Sequence, residues 1–136
     1  MTTERVLIVE DDPHLLKFVE DALKIADYEV RSAGDGEEAL AILARWRPQV
    51  ILLDLNMPRM DGWEFCATRL GRPDLATIPV VIMSSPDNLA MGPRPLVKPV
   101  ARLQKPFDMS ELLSTVWAAA NSAANPSAHP GPPGSS

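Results

Sequence analysis

The chain runs to 136 residues, 46% hydrophobic and 23% charged, with a formal net charge of −5. That length and balance fit one globular domain with a sizeable core, and with no Lys/Arg cluster they argue against direct nucleic-acid binding through a basic face. Cys66 is the single cysteine, which rules out an internal disulfide; with no apolar run of membrane-spanning length and no signal-peptide pattern, a cytoplasmic protein without membrane association is expected.

Val6-Leu7-Ile8-Val9 is a continuous apolar run, as in a strand buried on both faces, and it ends in Glu10-Asp11-Asp12. Pro13 suits a first helical residue with Asp12 as its N-cap, and Leu15, Val19, Ala22, Leu23 and Ala26 recur at helical spacing, which predicts a helix over 13–26. Residues 28–33 alternate in the manner of an edge strand. Asp35 and Glu38 form a capping box for a helix carried by Ala39, Leu40, Leu43 and Trp46 and closed by Pro48. Val50-Ile51-Leu52-Leu53 is another all-apolar strand, running into Asp54 and the loop Leu55-Asn56-Met57-Pro58-Arg59-Met60-Asp61-Gly62.

Trp63, Phe65, Cys66, Ala67 and Leu70 predict a helix that ends by Gly71-Arg72-Pro73, with Cys66 serving packing rather than reactivity. Val80-Val81-Ile82-Met83 is the third all-apolar strand and ends at Ser84-Ser85. Residues 100–104 are half polar and read as a second edge strand, followed by Lys105-Pro106-Phe107. Asp108 and Glu111 then cap a last helix whose stripe is Met109, Leu112, Leu113, Val116, Trp117 and Ala120.

Strands alternating with helices are the βαβ pattern of a parallel sheet. With the three all-apolar strands central and the two mixed strands at the edges, right-handed crossovers give an α/β fold: a doubly wound five-stranded parallel sheet in the order 2-1-3-4-5. One segment departs from the alternation. Pro86, Pro93, Pro95 and Pro99 fall where the fourth helix belongs, and each interior proline costs a helix about 3 kcal/mol, so that helix should be truncated or irregular. Residues 1–122 are expected to form the domain and 123–136, rich in Pro, Gly and Ser, a disordered tail or linker in which His129 has no role.

In such a sheet the functional crevice lies outside the carboxyl ends of the strands. Those ends collect Asp11, Asp12, Asp54, Ser84 and Lys105. Carboxylates gathered there repel one another by roughly 4 kcal/mol per pair at about 4 Å and an effective dielectric near 20, so the cluster calls for a counter-charge. Oxygen ligands with room for water suit Mg²⁺, Lys105 brings an ammonium, and Ser84 brings a hydroxyl donor. A carboxylate nucleophile in that company is equipped to take a phosphoryl group as an aspartyl phosphate. Taken singly each residue has a plainer role: Asp12 is foremost a helix cap, Ser84 a strand-end hydroxyl and Lys105 a solvated charge. Their convergence is what carries the reading.

The same residues resemble a family. Glu10-Asp11-Asp12, the loop from Asp54 to Gly62, Ser84 and Lys105-Pro106-Phe107 look like the receiver domain of two-component response regulators, over about residues 4–121. The flavodoxin-like order 2-1-3-4-5 is also that family's order, so pattern and resemblance are not independent. The resemblance implies that Asp54 is the phosphoacceptor, served by a sensor histidine kinase or phosphotransfer protein. It also implies that Asp11, Asp12 and Asp54 hold Mg²⁺ together with the Asn56 backbone carbonyl, and that Ser84 and Lys105 contact the phosphoryl group. The Lys105–Pro106 bond is expected to be cis, while Lys98-Pro99 precedes the last strand and does not match the motif. The chain is then a signalling domain rather than an enzyme, limited to self-catalysed phosphotransfer and dephosphorylation, acting on an unknown downstream protein. Two departures bear on output: Arg102 occupies the position where the family places an aromatic switch residue, and prolines fill 86–99.

Those departures define the competing reading, a receiver-shaped interaction module that works without phosphorylation. An aspartate-nucleophile phosphatase is disfavoured because Asn56 stands where such enzymes resemble Asp-x-Asp, and nucleotide binding because no Gly-rich phosphate loop is present.

Overall fold

The computed structural model describes residues 4–54, Thr68, 71–84 and 100–121. In chain order these are β1 (Arg5–Val9), α1 (Pro13–Ile25), β2 (Glu29–Ala33), α2 (Gly36–Leu43), β3 (Val50–Asp54), α3 (Pro73–Ala76), β4 (Val80–Ser84), β5 (Ala101–Gln104) and α4 (Met109–Ala120). The strands form one parallel sheet in the order β2-β1-β3-β4-β5. The expected order and the expected edges are both present. Thr68 is helical, but the rest of the helix predicted after Gly62, the Asn56 loop, the 86–99 segment and the tail lie outside the described residues.

Alternation along the strands makes two cores. Leu7, Val9, Ile51, Leu53, Val80 and Ile82 face Ala39 and Leu43 of α2, Trp46, and Leu75 of α3. Val6, Ile8, Val50, Leu52, Val81, Met83 and Leu103 face Val19 and Leu23 of α1 and Leu112, Val116 and Ala119 of α4. The sheet is thus the middle of three layers, which is why its central strands are apolar throughout rather than at every second residue.

Caps set the helix starts. Asp12, Asp35 and Asp108 accept from the backbone N–H groups of His14, Glu38 and Glu111 at 3.0, 2.8 and 2.8 Å. Glu38 reaches back to the N–H of Gly34 at 3.2 Å. α1 closes through Asp27, whose φ of 68° is left-handed.

Two local expectations need correction. α2 stops at Leu43 and does not extend through Trp46 to Pro48. There the chain turns, with the N–H groups of both Arg45 and Trp46 donating to the Ile42 carbonyl at 3.0 Å. The turn sends the Trp46 ring inward, where its Nε1 donates to Glu29 at 2.9 Å and the guanidinium groups of Arg5 and Arg31 lie 5.6 and 5.2 Å from its centre. α3 was not anticipated: Pro73 opens a four-residue helix instead of merely ending the preceding one. It is tied down by Arg47, which donates to the Asp74 carbonyl at 2.6 Å and to Thr77 Oγ1 at 2.9 Å.

Leu52→Ala, in the doubly covered centre of the sheet, should cost about 3 kcal/mol in urea unfolding, against about 1 kcal/mol for the loss of a cap in Asp108→Ala.

Candidate functional site

A two-residue period carries the inner core pattern out to the carboxyl edge of the sheet. Positions 6 and 8 of β1, 50 and 52 of β3, and 101 and 103 of β5 belong to the layer beneath α1 and α4. One step further along each strand stand Glu10, Asp54 and Lys105, so these three are directed to the same side by the pleat itself. The Glu10 N–H donates to the Ala33 carbonyl at 3.0 Å, and the Lys105 N–H to the Ser84 carbonyl at 2.8 Å. The Lys105–Pro106 bond is cis, as expected.

The side chains meet. Lys105 Nζ donates to Asp54 Oδ1 at 3.2 Å and lies 3.2 Å from Glu10 Oε1. Glu10 and Asp54 are almost wholly buried, at 1% and 3% exposure. The other Glu10 oxygen, Oε2, accepts the Asp12 N–H at 3.1 Å. Glu10, Asp11 and Asp54 each present a carboxylate oxygen within 4.8 Å of the others, with Asp11 exposed at the mouth, and such a group has the donor set and spacing to hold a metal ion.

Of the expected residues, Asp11, Asp54 and Lys105 come together. Asp12 is not among the three converging carboxylates, which are those of Glu10, Asp11 and Asp54; it caps the start of α1. Ser84 ends β4 beside them, fully buried, and its hydroxyl has no hydrogen-bond partner among the described residues. Asn56 lies outside the described residues. Glu10 was overlooked in favour of the two acids after it, although counting Val6, Ile8 and on to position 10 along the strand puts it on the site face.

Burial pushes the Glu10 carboxyl up to about 7, and the neighbouring Asp54 charge adds to the rise against the Asp12 N–H and the Lys105 ammonium. Burial acts on Lys105 in the lowering direction, but the Asp54 and Glu10 carboxylates outweigh it and hold the ammonium above the ordinary lysine range. Lys105 is therefore a permanent cation inside an acid pocket.

Fold and site together define a doubly wound α/β domain of the chemotaxis-regulator type, with an acidic pocket and an opposed lysine at the carboxyl edge of the sheet. Residues 6–117 match the response regulator receiver domain, and the chain belongs to that family of two-component signalling proteins. It is 34% identical over 117 residues to the protein PilG of Pseudomonas aeruginosa, covering 84% of this chain and 85% of PilG. Against other curated relatives, transcriptional regulators among them, it spans about half of their length or less. The chemotaxis response regulator CheY4 of Vibrio cholerae superposes with a TM-score of 0.77 at 33% identity, over 87% of this chain and 99% of that one. The Mn²⁺-bound form of response regulator Rcp1 superposes with a TM-score of 0.68 at 32% identity, over 83% of this chain and 88% of that one. Among the described residues no helix is long and apolar enough to cross a membrane.

The raised Glu10 carboxyl has a consequence for stability. In cation-free solution the folded protein binds a proton at Glu10 that the unfolded chain, with an ordinary value of 4.5, has released. The resulting stabilisation is fully present below about 4.5, declines as the pH rises, and is gone above about 7. Thermal unfolding across that range should show this slope in the wild type and lose it in Glu10→Gln.

Proposed function

We propose that Asp54 accepts a phosphoryl group from the phosphohistidine of a sensor histidine kinase or phosphotransfer protein, in a Mg²⁺-dependent reaction, and that the phosphorylated domain presents an altered surface to a downstream protein in the cytoplasm. The observation that carries this reading is the Lys105 ammonium 3.2 Å from Asp54 Oδ1 in a pocket that Asp54 shares with Glu10 and Asp11.

An Asp54 oxygen attacks phosphorus as the phosphorus–nitrogen bond to the donor imidazole breaks, and the bonding pair leaves with the imidazole nitrogen. Asp54 is held for that attack at the end of β3, a strand buried at all five of its residues, so its carboxylate has little freedom to lose. Lys105 meets the charge that builds on the phosphoryl oxygens, and as an ammonium it needs no proton transfer to do so. Among the described residues the buried Ser84 hydroxyl has no hydrogen-bond partner, and a phosphoryl oxygen on Asp54 is an acceptor of the right kind.

Three hard carboxylates, one of them open to solvent, suit a divalent cation that keeps part of its water shell. Asp11 and Asp54 would hold it beside Glu10, with the Asn56 carbonyl as the family's further ligand, while Asp12 keeps its place as the α1 cap. When bound, the cation neutralises charge on the phosphoryl oxygens. The Mn²⁺-bound form of Rcp1, 32% identical, supports a cation in this family's pocket.

Incubation with acetyl phosphate and Mg²⁺ should add one phosphoryl group by intact mass. Chelation should prevent it, Asp54→Ala should show no adduct, and an adduct that survives Asp54→Ala would overturn the assignment.

A further inference from the structure

We propose that the amino edge of the sheet, opposite the acid pocket, is a docking surface for an acidic polypeptide segment. The fold gathers there what the sequence scatters. Arg5 opens β1, Arg31 lies in β2, Arg45 and Arg47 flank Trp46 in the turn after α2, and Arg72 stands just before α3. They are all but one of the arginines among the described residues, in a chain whose formal net charge is −5. Among the described residues only two of them meet a carboxylate: Arg5 Nε lies 3.3 Å from Glu29 Oε2, and Arg72 lies 3.5 Å from Asp74. Arg47 spends its bonds on neutral oxygens, the Asp74 carbonyl and the Thr77 hydroxyl. Arg31 and Arg45 are exposed and form no ion pair among the described residues. Glu4 stands at the same end, but the pleat turns it to the α1 side, where its charge acts on Tyr28. Three guanidinium charges are thus left without a carboxylate on one edge of an acidic protein.

A guanidinium fork takes a carboxylate by both oxygens, which a lysine ammonium does not, and these forks are held in place. Those of Arg5 and Arg31 lie 5.6 and 5.2 Å from the centre of the Trp46 ring, and Arg47 is fixed to α3 by bonds of 2.6 and 2.9 Å. Their ordering precedes any partner, which lowers the cost of binding one. Beside them β2 is an edge strand, and its outer backbone groups pair with no strand among the described residues. An extended segment can add there as a further strand and bring its acids onto Arg31. Arginine on that edge repels a second copy of the same edge and admits a strand of opposite charge. Nucleic acid fits less well. Trp46 is 5% exposed and offers no face to a base, and three free charges would release few counterions.

The test titrates the full ¹⁵N-labelled chain with hexaglutamate, and with hexaglutamine as the neutral control. Hexaglutamate should shift the β2 amides and the arginine Nε resonances of this edge, and the shifts should fade as salt rises from about 0.05 to about 0.5 M. Arg31→Gln/Arg45→Gln should weaken binding about fivefold. Arg31→Lys/Arg45→Lys, which keeps the charge and removes the fork, should weaken it about twofold. Arg102→Gln, on β5 at the far side of the sheet, should leave the affinity as it was. None of these variants touches the acid pocket. Equal binding of hexaglutamine, or an affinity indifferent to Arg31 and Arg45, would overturn the proposal. Tighter binding of duplex DNA or of anionic lipid vesicles would overturn it in favour of a phosphate surface. Resonances of this edge that move with protein concentration alone would overturn it in favour of a second copy of the chain.

Discussion

One ammonium shared between two buried carboxylates sets the terms for this structure. Glu10 and Asp54 are nearly inaccessible to water, and two such charges side by side would be untenable without Lys105 at 3.2 Å from each. The ion group joins the ends of strands that are distant in sequence: β1 supplies one acid, β3 the other, and the residue after β5 the cation. It forms only if the whole sheet is assembled in the right order. The pocket is thus a readout of topology, and the two apolar cores on either side of the sheet are what hold that topology in register.

The division of labour along each strand follows from the same fact. Apolar side chains fill the strand bodies, where helices cover both faces, and ionisable groups collect where the strands run out of cover. There the acids find two kinds of partner. Asp12 is engaged by the free N–H groups of a helix start, whereas Glu10 and Asp54 are engaged by a lysine. Three acids in a row at 10–12 therefore take different roles within one turn of chain, and backbone direction alone separates them.

Much of this is visible in the residues themselves. Unbroken apolar runs at 6–9, 50–53 and 80–83 mark strands covered on both faces, and the mixed runs on either side mark edges, which is enough to order the sheet. The meeting of Asp54, Asp11 and Lys105 follows from that order once the carboxyl ends are aligned. Glu10 was harder to see because an acidic run carries two conflicting signals. As a helix start it favours the later acids, and as a strand end it favours the first one; only the pleat decides between them. Trp46 misled for a different reason. It falls at helical spacing from Leu43, yet the ring is needed at the sheet margin beside Glu29, and the chain leaves the helix early to put it there. The short α3 was invisible to periodicity because four residues span barely one turn.

The indole of Trp46 ties down the end of the sheet that takes no part in the acid pocket. Its partner Glu29 pairs in register with Arg5 at the amino ends of β1 and β2, the opposite end of the sheet from the acid pocket. The ring lies within reach of two guanidinium groups and is nearly shut off from water, so its surroundings depend on the sheet margin staying closed. A change confined to the carboxyl edge therefore leaves the surroundings of this ring untouched, whereas separation of β1 from β2 strips it of Glu29 and of both guanidinium groups.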